Sequence, residues 1–333
     1  MFDPPTDVRS LANSVRKLGY DFKWVTSPSE LTSPTSDISA LLFPGVGSFS
    51  SALNWLHANG YTEALRTYIG SGKPYMGICI GMQALFEESE EAEGVKGLGV
   101  VPGKIAKFSS NQGKDGSGRK SVPQMGWNDA VPLERENVGF GEAERLSMSS
   151  ASSSSSAANP HFYFVHSFRA SYDPSKHADW ALTLTKYEDE VFMSSVNKDN
   201  VFATQFHPEK SGRAGLEVLR AWLNRSVKQN GSAEAVNTNK IKDPAGQASK
   251  MKFGGLTKRV VACLDVRSND DGDLVVTKGE SYDVREKTTS SSQKQETAEQ
   301  GAVRNLGKPV DLAHRYYLEG ADEIVFLNIT SFR

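Results

Sequence analysis

Apolar runs and helical periodicity alternate along the first part of the chain. Short apolar runs at Ala40–Phe43 and Pro74–Ile78 have the length of buried strands, and Ser50–Leu56 and Tyr61–Ile69 between them have helical spacing. The same reading predicts a helix at Gly81–Glu88, strands at His161–Val165 and Val201–Phe206, and a helix whose apolar face holds Leu216, Leu219, Trp222 and Leu223. This alternation favours an α/β domain with a largely parallel sheet that ends near Lys228.

Three polar stretches interrupt the pattern. Residues 147–160 are rich in serine, residues 229–255 in polar residues and glycine, and residues 286–301 in Ser, Thr, Lys and Gln. Such segments bury too little apolar surface to offset their chain entropy. We interpret the first and third as loop insertions and the second as a linker, which divides the chain into domains at 1–228 and 256–333.

The segment after the linker has its own strand and helix pattern. Arg259–Asp265 is a near-continuous apolar run, which is typical of a strand buried on both faces. Val310–Glu319 is predicted to be a helix, and Asp322–Ile329 a second strand. Two strands and one helix are too few to close a barrel, which takes about 250 residues.

Charge and composition argue against several classes of partner. The 38 basic and 40 acidic residues give a net charge of −2 without a long basic run, so neither a nucleic acid nor a membrane surface is an expected partner. No apolar run approaches the ~20 residues of a membrane span, and the N-terminus resembles neither a signal peptide nor a transit peptide. Cys79 and Cys263 are the only cysteines, which favours a reducing compartment, and we predict a cytoplasmic location.

The strongest candidate for chemistry is a cysteine in a strand–turn–helix context. Gly77-Ile-Cys79-Ile-Gly81 follows the glycine-x-nucleophile-x-glycine pattern of a nucleophile elbow, with cysteine in place of serine. A sharp turn there requires small neighbours, and a following helix N-terminus favours the thiolate. The backbone N–H of Ile80 is positioned to bind a developing oxyanion. A buried cysteine in a tight turn is the alternative interpretation.

A thiolate nucleophile needs a base and a group that orients the base. His207-Pro-Glu209 follows a predicted strand, so both side chains would emerge at the sheet edge that also holds the elbow. His207 could move the proton while Glu209 holds the imidazole tautomer. His166 also follows a predicted strand and remains an alternative base on spacing alone.

Five ordered blocks resemble the class I (triad) glutamine amidotransferases, and in particular the glutaminase part of the imidazole glycerol phosphate synthase family. These blocks are Phe43–Phe49, Gly77–Glu90, Pro123–Asn128, Tyr163–Ser167 and Ala203–Ser211. The resemblance implies that the nucleophilic cysteine forms a glutamyl thioester, with the His-Pro-Glu histidine as its base and the glutamate as the orienting group.

The same resemblance implies further binding residues around the elbow. Gly45, Val46 and Gly47 would contribute to the oxyanion hole together with Ile80. The residues expected to contact glutamine are Gln83, His166 and Ser167. No cofactor and no metal is expected.

The second domain is similar to the opening of the cyclase barrel of that family. Matching blocks are Lys258–Arg267, Val275–Gly279, Asn305–Asp311 and Gly320–Thr330. The resemblance implies a (β/α)8 barrel that receives ammonia through a tunnel and joins it to a phosphoribulosyl aminoimidazole nucleotide. The products would be imidazole glycerol phosphate and an aminoimidazole carboxamide ribotide, for histidine and purine synthesis.

Two cyclase residues match the family pattern. Asp265 corresponds to a general acid/base at the end of the first barrel strand, and Lys278 to a lysine of the substrate pocket. The expected fold class is therefore α/β: a class I glutamine amidotransferase (flavodoxin-like) sheet domain, followed by the first βα units of an incomplete (β/α)8 barrel.

The chain departs from the family pattern at both ends. Met1–Asp7 does not resemble the family's first strand, and about six of eight βα units of the barrel have no counterpart. We therefore expect no cyclase activity from this chain. Two other hypotheses are an inactive fragment that at most binds partners, and another cysteine hydrolase such as a γ-glutamyl peptidase.

Overall fold

The computed structural model describes residues 6–45, 47–109, 120–133, 135–136, 160–228, 240–241, 261–277, 305–318, 321 and 323–328. The chain divides into two compact units, Met1–Thr257 and Lys258–Arg333. Most of the three predicted polar stretches, and the N-terminal residues 1–5, lie outside the described residues.

Helices and strands alternate through the described residues. The helices are α1 (Thr6–Lys17), α2 (Ser29–Thr32), α3 (Phe49–Ala58), α4 (Tyr61–Gly70), α5 (Ile80–Gln83), α6 (Pro174–His177), α7 (Gly212–Lys228) and α8 (Pro309–Leu318). The strands of the first unit are β1 (Leu41–Gly45), β2 (Tyr75–Cys79), β3 (Glu88–Ser89), β4 (Lys104–Lys107), β5 (Gln124–Asp129), β6 (Val131–Pro132), β7 (Arg135–Glu136), β8 (His161–His166), β9 (Phe168–Ser171), β10 (Ala181–Tyr187), β11 (Glu190–Lys198), β12 (Val201–Thr204) and β13 (Lys240–Ile241). Those of the second unit are β14 (Val261–Ser268), β15 (Leu274–Val276) and β16 (Glu323–Asn328).

The main sheet is mixed, so the prediction of a largely parallel sheet is wrong. Its order is β1-β2-β12-β11-β9-β4-β3, with β1, β2 and β12 parallel and β11 antiparallel to β12. Two-residue turns join β10 to β11 and β11 to β12, and Glu188 and Asp199 adopt positive φ in them. A two-residue turn can connect only antiparallel strands, which explains the change of direction.

Alternating side chains bury both faces of the parallel strands. Tyr75 and Ala203 pack into one apolar cluster with α3 and α4, whereas Met76, Ile78 and Phe202 pack into a second cluster. The second cluster also contains the apolar face of α7, where Trp222 is fully buried. Burial of each large side chain contributes about 1.5–3 kcal/mol, so the sheet is held from both sides.

The elbow helix is shorter than the predicted span Gly81–Glu88. Helix α5 ends at Gln83 because incoming backbone takes the next carbonyls: Leu98 N–H donates to Ala84 O at 2.7 Å, and Val100 N–H donates to Leu85 O at 2.8 Å. The chain then turns into β3. The predicted helices α3, α4 and α7 and the strands β1, β2, β8 and β12 are confirmed, with shifts of one or two residues at most ends.

A half-buried ion cluster ties the β10–β11 hairpin to its neighbours. Glu190 accepts from Lys120 Nζ at 2.7 Å and from the Ser109 backbone N–H at 2.8 Å, and it pairs with Arg169. Burial alone would raise the pKa of Glu190, but hydrogen bonds from Lys120 and Ser109 and the charge of Arg169 lower it to about 2. We call these four residues the Glu190 cluster.

An apolar cavity of about 470 Å³ lies beside β1. Its walls include Leu11 and Val15 of α1, Trp24, and Leu41 of β1. Among the predicted site residues that the structure describes, none lines it, so this cavity is separate from the candidate chemistry.

The second unit contains a three-stranded sheet with order β15-β14-β16. β14 and β16 are parallel, and α8 lies between them in the sequence, so the predicted strand–helix–strand order is confirmed. β15 was not predicted; it pairs antiparallel with β14 through a short turn at Asn269–Gly272. Within the described part of the chain, no helix is long and apolar enough to cross a membrane.

Candidate active site

Cys79 lies at the end of β2 in a strained backbone conformation. Its φ is 54° and its ψ is −104°, a region that side-chain-bearing residues rarely adopt. A Cβ on Gly77 would lie 2.3 Å from Gly81 O, and a Cβ on Gly81 would lie 1.9 Å from Phe43 O. Only glycine fits at either place, as the elbow pattern predicts.

Strand β12 brings the histidine and the glutamate to the same sheet edge. It runs parallel to β2, with Thr204 opposite Ile78, so the residues after Thr204 reach the elbow. His207 is 1% exposed, and its Nδ1 donates to Glu209 Oε1 at 2.8 Å. The His207 backbone is anchored by its N–H, which donates to Tyr163 O at 2.9 Å.

The electrostatics of His207 favour its protonated form. Burial alone would lower the pKa of His207, but the negative charge of Cys79 and the carboxylate of Glu209 raise it to about 10. Cys79 acts on His207 both as a nearby negative charge and as a hydrogen-bond acceptor, and the Nε2 proton has no other partner in the described part of the chain. This proton is therefore available for transfer.

His166, the alternative base, has a different environment. It is 6% exposed and packs against Phe108, Phe164 and Phe192. Its Nδ1 donates to Phe168 O at 2.8 Å, which fixes the proton on that nitrogen. Burial lowers the pKa of His166 to about 3, despite the hydrogen bond to Phe168. A histidine that stays neutral down to this pH is a weak base, and the geometry favours His207.

Two buried glutamines connect to the thiol. Gln205, fully buried, points its Nε2 at Cys79 Sγ at 3.6 Å, and its Oε1 accepts from Gln83 Nε2 at 3.0 Å. Gln83 Nε2 also donates to Phe168 O at 3.1 Å. Gln205 was missed by the sequence reasoning because glutamine carries no chemical signature, although it lies within the block Ala203–Ser211.

Two of the predicted oxyanion residues, Gly45 and Ile80, lie at the elbow. Gly45 is paired with Cys79 in the register of β1 and β2, and a Cβ on Gly45 would lie 2.9 Å from Ile80 Cβ. Gly47 has a φ of 105°, which only glycine adopts freely, and Val46 lies outside the described residues. Ile80 is the first residue of α5.

For Ser167 and the cyclase residue Asp265, the contacts below involve the backbone rather than the side chain. The Ser167 carbonyl accepts from Phe108 N–H at 3.0 Å. Asp265 lies within β14, half-buried, and its carbonyl accepts from Thr277 N–H at 2.9 Å. Lys278 lies outside the described residues. Among those residues, no group of three or more His, Cys, Asp or Glu side chains is arranged to hold a metal ion.

Comparison with known proteins identifies the first unit. Residues 7–225 match the family model "Glutamine amidotransferase class-I". The chain is also 39% identical to the imidazole glycerol phosphate synthase subunit HisH of Methanothermobacter thermautotrophicus, over 65% of this chain and 92% of that protein.

Fused relatives match nearly the whole chain. It is 44% identical to imidazole glycerol phosphate synthase hisHF of Emericella nidulans and 45% identical to that of Schizosaccharomyces pombe, in each case over 98% of this chain and 52% of the relative. The chain thus spans about half the length of these fused relatives. From the family model and these identities, the chain belongs to the class-I glutamine amidotransferases, within the imidazole glycerol phosphate synthase family.

Proposed function

We propose that the first unit hydrolyses glutamine to glutamate and ammonia. The observation that carries this proposal is the convergence of a strained Cys79 with the buried His207–Glu209 pair at one sheet edge. A thiolate on an elbow beside an imidazolium that a carboxylate orients has the parts needed for nucleophilic acyl transfer.

The proposed reaction has two steps. The Cys79 thiolate attacks the side-chain amide carbon of glutamine, and a C–S bond forms. The C–N bond then breaks as His207 gives its proton to the departing nitrogen, which leaves as ammonia. His207 next takes a proton from water, the hydroxide attacks the thioester, and glutamate is released while Cys79 returns to the thiolate.

Binding groups complete the proposal. The N–H groups of Ile80 and of Gly45–Gly47 would stabilise the oxyanion, which in comparable sites contributes about 2.7–4 kcal/mol per donor. Support comes from the pairing of Gly45 with Cys79 and from the position of Ile80 at the start of α5. We propose that His166 and Ser167 hold the substrate, and that Gln83 contributes through its side-chain oxygen, because both hydrogens of its NH₂ group are donated to Phe168 O and Gln205 Oε1.

The decisive experiment is a glutaminase assay of the 333-residue chain. We expect Cys79→Ala to reduce glutamate release to background, because no other group replaces the thiolate. Cys263→Ser is the matched control, since this exposed cysteine lies in the other unit and the variant should retain full release. Equal release from wild type and Cys79→Ala would refute the proposal.

The second candidate function is that of an inactive binding module. The buried His207–Glu209 pair beside Cys79 favours the glutaminase, because a binding module needs neither a base nor a group that orients it. A cooperative thermal transition together with no measurable glutamate release would instead support the binding module.

We further propose that the ammonia passes to a cyclase. The fused relatives that match 98% of this chain carry the name imidazole glycerol phosphate synthase. We interpret Lys258–Arg333 as the first βα units of a (β/α)8 barrel, with Asp265 as an acid/base and Lys278 in a substrate pocket. The parallel pairing of β14 and β16 across α8 supports this interpretation. The nucleotide substrate and a cytoplasmic location stay predictions.

A further inference from the structure

The buried side chains of Gln83 and Gln205 form a line of hydrogen bonds that runs from the Phe168 carbonyl to the sulfur of Cys79. Gln205 Nε2 lies 3.6 Å from Sγ, Gln83 Nε2 lies 3.0 Å from Gln205 Oε1, and the same Nε2 lies 3.1 Å from the carbonyl oxygen of Phe168. Gln205 is 0% exposed and Gln83 is 2% exposed. Because water has no access to these amides, their hydrogen bonds fix their orientation.

The Phe168 carbonyl determines how both glutamine amides are oriented. The Phe168 carbonyl can only accept, so Gln83 must turn its NH₂ group toward it. The second hydrogen of that NH₂ group reaches Gln205, which must then present its oxygen to Gln83. The NH₂ group of Gln205 is left facing Cys79. Reversing Gln205 would set two donors against each other and turn an acceptor oxygen toward the sulfur.

Backbone contacts hold Gln205 at this place. Its own N–H donates to Ser194 O at 2.9 Å, which continues the pairing of β11 with the end of β12. Gln205 lies two residues before His207, so one short segment supplies both the imidazole and the amide. The sulfur therefore lies beside a cation and a neutral donor from the same strand end.

We infer that Gln205 is a further catalytic residue that donates a hydrogen bond to the Cys79 thiolate, and that Gln83 is the positioning residue that aims it. A hydrogen bond to an ionised sulfur stabilises the charged form relative to the thiol. It also keeps Sγ in place between turnovers, when no substrate holds it. The inference deepens the proposed glutaminase function and rests on it for the catalytic role.

The test measures the ionisation of Cys79 directly rather than turnover. In a Cys263→Ser background, the rate of iodoacetamide alkylation is followed against pH by mass spectrometry of the Cys79 peptide. Gln205→Met keeps the length of the side chain but removes the donor, and the midpoint of the profile should rise by about one pH unit. Gln205→Glu puts a carboxylate against the sulfur and should raise it further.

Two more variants distinguish the orientation of the Gln205 amide from a general loss of stability. Gln83→Met frees Gln205 to rotate, so it should raise the midpoint in the same direction by a smaller amount. Asn128→Leu is the matched control: this buried amide donates to Lys186 O at 3.0 Å and accepts from the Asp129 N–H, so the change should cost stability but leave the midpoint unchanged.

The outcomes are separable from those of the glutaminase assay. An unchanged midpoint in Gln205→Met, in a chain that hydrolyses glutamine, overturns the role of Gln205 and leaves the proposed function standing, even where the added charge of Gln205→Glu raises the midpoint. A raised midpoint in a chain that releases no glutamate supports the hydrogen bond to sulfur but removes its catalytic meaning. If Gln205→Met fails to fold, as judged by thermal melting, Gln83→Met decides, because an unchanged midpoint in that variant overturns the role of the aimed amide.

Discussion

At the scale of single residues, the carboxylate of Glu209 helps to keep His207 protonated. It accepts from His207 Nδ1 at 2.8 Å, and its charge contributes to raising the pKa of His207 to about 10. We expect Glu209→Gln to lower this pKa and to reduce kcat/KM for glutamine by about 10²–10⁴, as the loss of an orienting carboxylate does in comparable triads.

The dependence of kcat/KM on pH tests this prediction. With Glu209 in place, His207 holds its proton until the pH approaches about 10, so in Glu209→Gln the protonated form should be lost at lower pH. The alkaline limb of kcat/KM should therefore move toward neutrality. Glu217→Gln, which alters a surface pair with Arg213, should leave the profile in place. An unmoved alkaline limb in Glu209→Gln would exclude the orienting role.

Single residues also differ in how far sequence could predict them. Cys79, His207 and Glu209 stand in short motifs whose chemistry is local, so their convergence could be inferred from strand ends alone. Gln205 meets Cys79 from 126 positions away in the sequence, and no residue pattern encodes that contact. Spacing in the sequence also could not decide which histidine is the base. The structure favours His207, which faces two negative groups, over His166, which lies in an aromatic pocket.

At the scale of elements, the elbow depends on close backbone contact between β1 and the start of α5. We expect Gly81→Ala to lower the free energy of unfolding by about 1–3 kcal/mol, because its Cβ would lie 1.9 Å from the rigid carbonyl of Phe43. Glutamate release should also be lost as Cys79 is displaced.

Gly70→Ala is the control for the elbow substitution. It lies at the end of α4 with nothing within 4 Å of the added Cβ, so it should be neutral or slightly stabilising. Urea unfolding of both variants measures the difference. Equal stability of Gly81→Ala and wild type would show that the elbow is more adaptable than its contacts indicate.

The Glu190 cluster makes the stability of the β10–β11 hairpin depend on pH. The pKa of Glu190 is lowered from 4.5 to about 2, so its contribution is present above about pH 5 and is lost as the pH falls toward 2. We expect Glu190→Gln to cost about 1–3 kcal/mol at pH 7, because Arg169 loses its carboxylate and Lys120 keeps only the half-exposed Asp189, and progressively less under acid.

Urea unfolding between pH 7 and pH 3 tests this dependence. Glu63→Gln, which removes an exposed partner of Arg66, should change stability by less than about 1 kcal/mol at every pH. A Glu190→Gln deficit that stays constant on acidification would contradict the assigned ionisation.

The elements also show which structural features the hydrophobic pattern could predict. Strands β1, β2 and β12 are short apolar runs between clear breakers, and they appear where expected. The hairpins around Glu188 and Asp199 were missed, because their turns lack the Asn-Gly or Asp-Gly pairs that mark such connections. The length of the helix at Gly81 was overestimated, because long-range backbone hydrogen bonds from Leu98 and Val100 end it.

At the scale of the whole molecule, the chain contains a larger unit, Met1–Thr257, and a smaller one, Lys258–Arg333. Cys79, His207 and Glu209 all belong to the larger unit, so the proposed glutamine hydrolysis depends on that unit's own sheet. The chain spans about half the length of the fused relatives that it matches, and the joining of ammonia to a nucleotide is therefore a proposal.

The parallel pairing of β2 with β12 has a consequence for how such a site tolerates length variation. In the described part of the chain, the side chains that meet at Cys79 come from β2, α5 and the segment after β12. Doubling the length of a flexible loop costs only about 0.6 kcal/mol of closure entropy. Insertions between these strands can therefore accumulate through evolution while the catalytic register, fixed by sheet hydrogen bonds, stays the same.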